Sequence, residues 1–146
     1  MANDTVDTLN SFLRGEISAV ETYRQAIEKL QEKPEASILR ECLRSHERRV
    51  SILETEVARR GGKPAQGSGS WGAFAKLMEG GAKLFGVKSA IAALEEGEDH
   101  GRDDYQKNAP KLELDARTFV QQQLIPEQLR THQAMSTLKK QLASAA

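Results

Sequence analysis

The sequence predicts an all-α four-helix bundle, built from two antiparallel helical hairpins and a long connection between them. Ala, Leu, Glu, Gln, Lys and Arg dominate the composition, whereas β-branched and aromatic residues are sparse, and this balance favours helix. In four stretches apolar residues recur at steps of three and four, the spacing of one helical face. We therefore expect one domain with a hairpin at 4–60, a crossover at 61–86 and a second hairpin at 87–142.

The first hairpin joins helix A (about 4–31) to helix B (about 34–60). Each helix carries a seam, which is the row of side chains predicted to face the bundle core. Pro34 suits the first turn of helix B, so a tight turn should separate the two helices. The seam of helix A comprises Leu9, Leu13, Glu16, Val20, Tyr23, Ile27 and Leu30, and that of helix B comprises Leu39, Leu43, His46, Val50, Leu53 and Val57.

The second hairpin follows a loop that is rich in glycine and serine at residues 61–72. Helix C (about 87–109) should be followed by helix D (about 114–142), which begins near Asp115 and is kinked at Pro126. The seam of helix C comprises Val87, Ile91, Leu94, Glu98, Gly101 and Tyr105, and the less regular seam of helix D comprises Ile125, Leu129, His132, Met135 and Leu142.

Charge and composition limit the partners and the compartment. The 146 residues include 21 Lys and Arg against 21 Asp and Glu, whereas proteins that bind nucleic acid or anionic membranes usually carry a basic excess. The longest purely apolar run, 90–94, is far too short to cross a bilayer. Cys42 is the only cysteine, which fits a reducing compartment. We expect a cytoplasmic protein with no nucleic-acid partner and no membrane partner.

Each seam is apolar except at one interior position, and these four positions are Glu16, His46, Glu98 and His132. Residues equidistant from the turn of an antiparallel hairpin lie at the same height. The midpoint of the first Glu–His pair is residue 31 and that of the second is residue 115, both beside a predicted turn. Each glutamate should therefore approach the histidine of its own hairpin, the second pair less securely because its turn could lie nearer 111.

The two hairpins also repeat one another in sequence. A Gly-Glu pair is followed seven residues later by Tyr23 in helix A and by Tyr105 in helix C. A string Glu-x-Leu-Arg-Ser/Thr-His occurs at 41–46 and again at 127–132. We infer an internal duplication with a pseudo-twofold axis, which would gather two carboxylates and two imidazoles around one point in the core.

These residues resemble the ferritin-like proteins, with the rubrerythrins as the nearest metal-binding comparison. The resemblance rests on the Gly-Glu pairs, the histidines deep in helices B and D, the Glu-to-Tyr spacing and the long crossover. The crossover string 69–74 and the Gly-Glu-Asp of helix C look like a bacterial family of ferritin-like four-helix bundles whose function is unassigned. The resemblance implies a metal site in the bundle and a role in metal or oxidative-stress handling.

The chain departs from the di-iron pattern at two positions. Di-iron members of the family carry a bridging glutamate three residues before each histidine, and here Leu43 and Leu129 stand there. Glu41 and Glu127 lie five residues before the histidines and would reach the core only through a π-bulge. The remaining seam residues fit a mononuclear site for Fe(II), Mn(II) or Zn(II). Its predicted ligands are Glu16, His46, Glu98 and His132.

The sequence leaves two roles open for several neighbouring side chains. Tyr23 and Tyr105 either donate hydrogen bonds to the glutamates or lie at the core edge with their hydroxyls in solvent. Cys42, one turn before His46, is either a thiolate ligand or a small buried apolar residue, and the second role is the more common. The acidic run around His100 and the pair Arg48-Arg49 are expected on solvated faces.

Two charge balances satisfy the four seam residues equally well. Two carboxylates are neutralised either by one divalent cation with neutral imidazoles or by two protonated histidines without metal. The metal-free alternative is a structural or interaction module that self-associates, as a homodimer or otherwise, through the bundle or the crossover. No motif of a nucleophilic enzyme or a phosphate-binding loop is present. The crossover contacts of the interaction module would be Phe74, Leu77, Met78, Leu84 and Phe85.

Overall fold

A computed structural model describes residues 2–69 and 86–145, and this part of the chain is helical without strands. The order of the helices along the chain confirms the predicted all-α bundle of two hairpins. The crossover residues assigned to the interaction module lie outside the described residues. The helices are α1 (Ala2–Lys29), α2 (Ala36–Arg59), α3 (Gly86–Asn108), α4 (Leu114–Gln123) and α5 (Ile125–Ser144), with a short 3₁₀ turn at Ala109–Lys111.

The first hairpin has well-defined ends. Pro34 lies in the turn, and α2 begins at Ala36, two residues later than predicted. At the other end of α2, Gly61 adopts a left-handed φ of 81° that a side chain would disfavour. The N–H of Gly62 donates to the carbonyl of Val57 (2.9 Å) and the N–H of Gly61 to that of Ala58 (2.9 Å). This pair of bonds is a Schellman motif, which satisfies the last carbonyls of the helix.

The predicted helix D is broken into α4 and α5 at Leu124. Pro126 lies in the first turn of α5, where its missing N–H costs little. Leu124 itself is fully buried, and its N–H still donates to the carbonyl of Val120 (3.0 Å). At the break, Leu124 therefore keeps both its core position and its backbone hydrogen bond.

The bundle core consists of two apolar layers with a polar layer between them. One apolar layer lies near the α3–α4 turn and includes Leu9, Leu53, Val57 and Val120. The other lies near the α1–α2 turn and includes Leu30, Leu39, Ile91 and Met135. Between them lie charged and polar side chains that are almost entirely excluded from solvent, among them Glu16, His46, Arg49, Glu98, Gln128 and Thr131.

Across the described residues, no helix has both the length and the apolar character needed to span a bilayer.

Candidate functional site

His46 bridges the two buried glutamates at the centre of the polar layer. Its Nδ1 lies 2.6 Å from Oε1 of Glu16, and its Nε2 lies 2.8 Å from Oε2 of Glu98. Each ring nitrogen thus faces a carboxylate oxygen that can only accept a hydrogen bond. The geometry favours the doubly protonated imidazolium, which donates in both directions.

Tyr23 and Tyr105 complete the bridge from opposite sides. Tyr23 donates its hydroxyl to Oε2 of Glu98 (2.6 Å), and Tyr105 donates to Oε2 of Glu16 (2.7 Å). Each tyrosine therefore donates its hydrogen bond to the glutamate of the other hairpin, and both tyrosine side chains are buried. Their hydroxyls lie in the core rather than in solvent, which decides between the two roles that the sequence left open.

Arg49 supplies the second positive charge of the cluster, although the sequence analysis placed it on a solvated face. That expectation was wrong, because the residue is only 1% exposed. Its guanidinium donates to Oε2 of Glu16 (3.2 Å), to the side-chain carbonyl of Gln128 and to Oγ1 of Thr131 (3.0 Å). Arg49 lies three residues after His46 on the same helical face, so its position, rather than its residue type, was the signal for burial.

Gln128 and Thr131 of α5 donate hydrogen bonds to Oε1 of Glu98, the carboxylate oxygen that does not contact His46. Gln128 Nε2 donates to Oε1 of Glu98 (3.0 Å), and Thr131 Oγ1 donates to the same atom (2.8 Å). Gln128 also approaches Gly101 so closely that a Cβ there would meet its amide nitrogen at 2.9 Å. The glycine therefore provides the space that lets Gln128 reach the cluster. We call these eight residues the central cluster: Glu16, Tyr23, His46, Arg49, Glu98, Tyr105, Gln128 and Thr131.

The charges of the central cluster balance without any further ion. Burial raises the pKa of Glu16, but Arg49 and His46 outweigh it and lower the pKa from 4.5 to about 2. Burial opposes ionisation of Glu98 as well, and His46 and Arg49 still hold its pKa below 4.5. Burial and Arg49 lower the pKa of His46, whereas the two carboxylates raise it, and the result lies above 6.5. Two anions thus face two cations.

His132 does not join the central cluster, and the predicted convergence of four seam residues was wrong on this point. Its side chain is 17% exposed, and its Nε2 lies 2.6 Å from Oδ1 of Asp99. The turn of the second hairpin lies at 109–113 rather than at 115. This shift brings Gln128 level with Glu98 and leaves His132 one turn away. Asp99, which was expected on a solvated face, pairs with His132 instead.

The two halves of the molecule match at a spacing of 82 residues. Arg49 and Thr131 are 82 positions apart, as are Glu16 and Glu98. From Cys42 to Glu56, five buried positions of α2 correspond at this spacing to the buried Leu124, Gln128, Thr131, Met135 and Leu138. The repeated string, by contrast, matches at 86 residues, about one helical turn out of register. The position equivalent to His46 is therefore Gln128.

The less favoured ligands are not members of the central cluster, although Cys42 hydrogen-bonds Tyr23 at its edge. Glu41 is exposed on a continuous α2, so no π-bulge brings it inward. Glu127 accepts hydrogen bonds from Ser45 (2.8 Å) and from Arg130, and the bond from Arg130, against partial burial, lowers its pKa to about 2. Cys42 is buried, and burial together with the charge of Glu98 raises its pKa to about 12. The protonated thiol is a poor metal ligand.

A cleft between α1 and α3 leads down to the central cluster. It encloses about 280 Å³, and its walls are largely apolar. The same positions of the two halves line it, for example Gly15 with Gly97 and Ala19 with Gly101. Because these residues have small side chains or none, they leave the space between α1 and α3 unfilled. Glu16, Glu98 and both tyrosines lie at the floor of the cleft, and Asp104 lies on its wall.

The donor chemistry of the central cluster does not fit the metal that the ferritin-like resemblance implies. Every carboxylate oxygen of the two glutamates already accepts a hydrogen bond, and both nitrogens of His46 are engaged. In addition, a guanidinium nitrogen of Arg49 lies 3.2 Å from His46 Nε2. A metal at this place would have to sit beside a buried arginine charge, which opposes a second cation.

The fold and the site define a helical bundle with a buried, charge-compensated polar layer. The chain belongs to the family described as Domain of unknown function (DUF2383), whose model matches residues 4–110. The matched range includes α1, α2, the crossover and α3, and it therefore contains Glu16, His46 and Glu98. Comparisons with the curated proteins and with the solved structures gave no match.

Proposed function

We propose that this protein is a binding bundle whose α1–α3 cleft takes a small amine with an apolar body, without a metal in the central cluster. The observation that carries the proposal is the cleft itself, which has apolar walls and a polar floor. Concave apolar pockets with a few convergent polar groups are the usual form of small-molecule sites. The central cluster would act as the rigid floor of this site.

The polar groups around the cleft call for a ligand that donates hydrogen bonds. The Tyr105 hydroxyl uses its proton on Glu16, so its oxygen is left as an acceptor, whereas the Tyr23 hydroxyl also hydrogen-bonds Cys42. Asp104 on the wall accepts a hydrogen bond from Asn108 (2.7 Å). Partial burial, with a contribution from the charge of Glu16, raises the pKa of Asp104 above 3.8. An ammonium group placed there would relieve this unfavourable burial of negative charge.

The metal-centred function that the sequence favoured first is the weaker candidate, because Arg49 and the saturated carboxylates oppose it. A direct test is to strip the protein with chelator and follow its melting temperature as Fe(II), Mn(II) or Zn(II) is added. This titration uses the His132→Gln variant, so that metal binding at His132 cannot change the melting temperature. We expect no stabilisation. A rise in melting temperature that depends on His46 would restore the metal hypothesis.

The amine proposal is tested with benzylamine and benzyl alcohol, which share an apolar ring and differ in charge. Benzylamine should shift amide resonances of α1 and α3 around the cleft and bind at least about tenfold more tightly than benzyl alcohol. Asp104→Asn should remove that preference. Asp103→Asn is the matched control, because the Asp103 side chain is 65% exposed and does not line the cleft. Equal binding of both probes, or resonance shifts elsewhere, would refute the proposal.

A further inference from the structure

A second group of ionisable side chains lies between α3 and α5, outside the central cluster and the cleft. Glu95, Asp99 and His132 each offer one ligand atom, and these atoms lie within 4.8 Å of one another. Glu95 and Asp99 are one turn apart on α3, and His132 faces them from α5. All three side chains are partly exposed, so an ion could reach them from solvent. We call these three residues the surface triad.

The hydrogen bonds around His132 conflict with one another. Nε2 of His132 lies 2.6 Å from the carboxylate oxygen of Asp99 and 3.1 Å from NH1 of Arg102. If Nε2 carries a proton, it faces an N–H of the guanidinium, and if it does not, it faces a lone pair of the carboxylate. Only one of the two contacts is therefore a hydrogen bond in either state, as at His46 beside Arg49, but here the guanidinium is 31% exposed. A cation between His132 and Asp99 would use both lone pairs at once.

Two cations contact the carboxylates of the surface triad, since Arg102 NH1 lies 3.6 Å from Oδ1 of Asp99 and Lys139 Nζ lies near Glu95. Arg102 already donates through Nε (3.2 Å) and NH2 (3.1 Å) to Oδ1 of the exposed Asp103. Lys139 lies 3.4 Å from Glu95, but its side chain is 52% exposed and exchanges readily with water. In contrast to Arg49 of the central cluster, neither cation is locked in place by burial. Because both cations are partly exposed, water would replace much of what they lose when a divalent ion displaces them.

We propose that Glu95, Asp99 and His132 form a binding site for a divalent transition metal, with Zn(II) as its best probe. One imidazole and two carboxylates are a donor set that zinc accepts, and water would supply the fourth ligand of a tetrahedral site. The metal would join α3 to α5, the two helices of the second hairpin. This inference is independent of the amine proposal, because the surface triad and the α1–α3 cleft share no residue.

The test is a calorimetric titration of the chelator-treated, full-length protein with zinc chloride at neutral pH. We expect one zinc per chain, and His132→Gln and Asp99→Asn should each weaken binding by at least about tenfold. The chain contains three histidines, which makes the control simple. His100→Gln removes the other exposed imidazole and should leave zinc binding unchanged.

Nuclear magnetic resonance gives a readout that does not depend on stability. Zinc should shift the imidazole resonances of His132 and leave those of His46 in place. Binding should weaken as the pH falls, since the metal competes with protons for the imidazole. The proposal is overturned if the unsubstituted protein fails to bind zinc, if His132→Gln binds it as tightly as the unsubstituted protein, or if His100→Gln abolishes binding.

Discussion

His46 and His132 end the same six-residue string, yet they occupy opposite kinds of environment. His46 is 2% exposed and lies between two buried carboxylates beside a buried arginine. His132 is partly exposed, its carboxylate partner Asp99 is 38% exposed, and its arginine neighbour is 31% exposed. The same string of residues therefore does not determine the chemistry of the histidine that ends it. The chemistry of each histidine depends on whether the neighbouring helices place buried counter-charges around it.

The largest expected difference between the two sites concerns stability. His46→Leu leaves one oxygen of each buried glutamate without its imidazole donor and removes one of the two positive charges. Breaking a buried ion pair in this way should lower the free energy of unfolding by about 3–5 kcal/mol. His132→Leu should lower it by less than about 1 kcal/mol. Urea unfolding followed by circular dichroism measures both values, and equal losses would contradict the contrast drawn here.

The next test concerns the two tyrosines. It compares their contributions to stability, which should be similar because their hydrogen bonds to the glutamates are similar. Tyr23→Phe and Tyr105→Phe each remove one hydrogen bond to an ionised carboxylate and leave the ring in place. Such bonds are worth about 1.5–3 kcal/mol, and the two variants should be destabilised by similar amounts in the same urea assay. If one loss were negligible, the corresponding hydroxyl would be bonded to water instead of its glutamate.

Much of the fold could be predicted from the periodicity of apolar residues, and so could the core-facing positions of five members of the central cluster, including both tyrosines. Glu16, His46 and Glu98 interrupt seams that are otherwise apolar, so their burial followed from position alone. Arg49 was missed because an arginine beside Arg48 was interpreted as solvated, although it lies on the same face as His46. In that case residue type was allowed to outweigh helical position.

His132 was misplaced for a different reason. The string containing it gave a register of 86 residues, whereas Glu16 and Glu98, like Tyr23 and Tyr105, already gave a register of 82. The second register was visible in the sequence and would have led from His46 to Gln128. The cleft could not be predicted, because its volume depends on how closely α1 and α3 approach across their small residues.

The pH dependence of stability separates the two histidines further. The raised pKa of His46 means that its stabilising contribution is complete below the unfolded value of about 6.5 and is lost as the pH rises through the folded value. Glu16 acts in the opposite direction, because its contribution is present above 4.5 and is lost as the pH falls towards about 2. The unfolding free energy should therefore be highest between about pH 4.5 and 6.5.

Measurement of unfolding free energy at several pH values tests this assignment. One proton released by His46 gives an alkaline slope of no more than about 1.4 kcal/mol per pH unit. His46→Gln should abolish the slope, whereas His132→Gln should retain it. A slope that survives in His46→Gln would mean that another group titrates in this range.

The smallest expected effect is that of Asp99→Asn in the absence of metal. The Asp99 carboxylate is 38% exposed, so water replaces much of what its partners provide, and the neighbouring Arg102 keeps its bonds to Asp103. Pairs of this kind contribute about 0.2–1 kcal/mol, and they weaken as salt screens the charges. The urea assay at low and high salt should give a small loss that shrinks with added salt.

The informative control is Glu98→Gln, the same carboxylate-to-amide change in the central cluster. Glu98 is 2% exposed, and its change should be costly and insensitive to salt, because the imidazolium and guanidinium lose a buried counter-charge that solvent cannot replace. If Asp99→Asn were as costly as Glu98→Gln, the surface triad would be a fixed ionic network like the central cluster, and an entering metal would then have to displace Arg102 at a comparable cost.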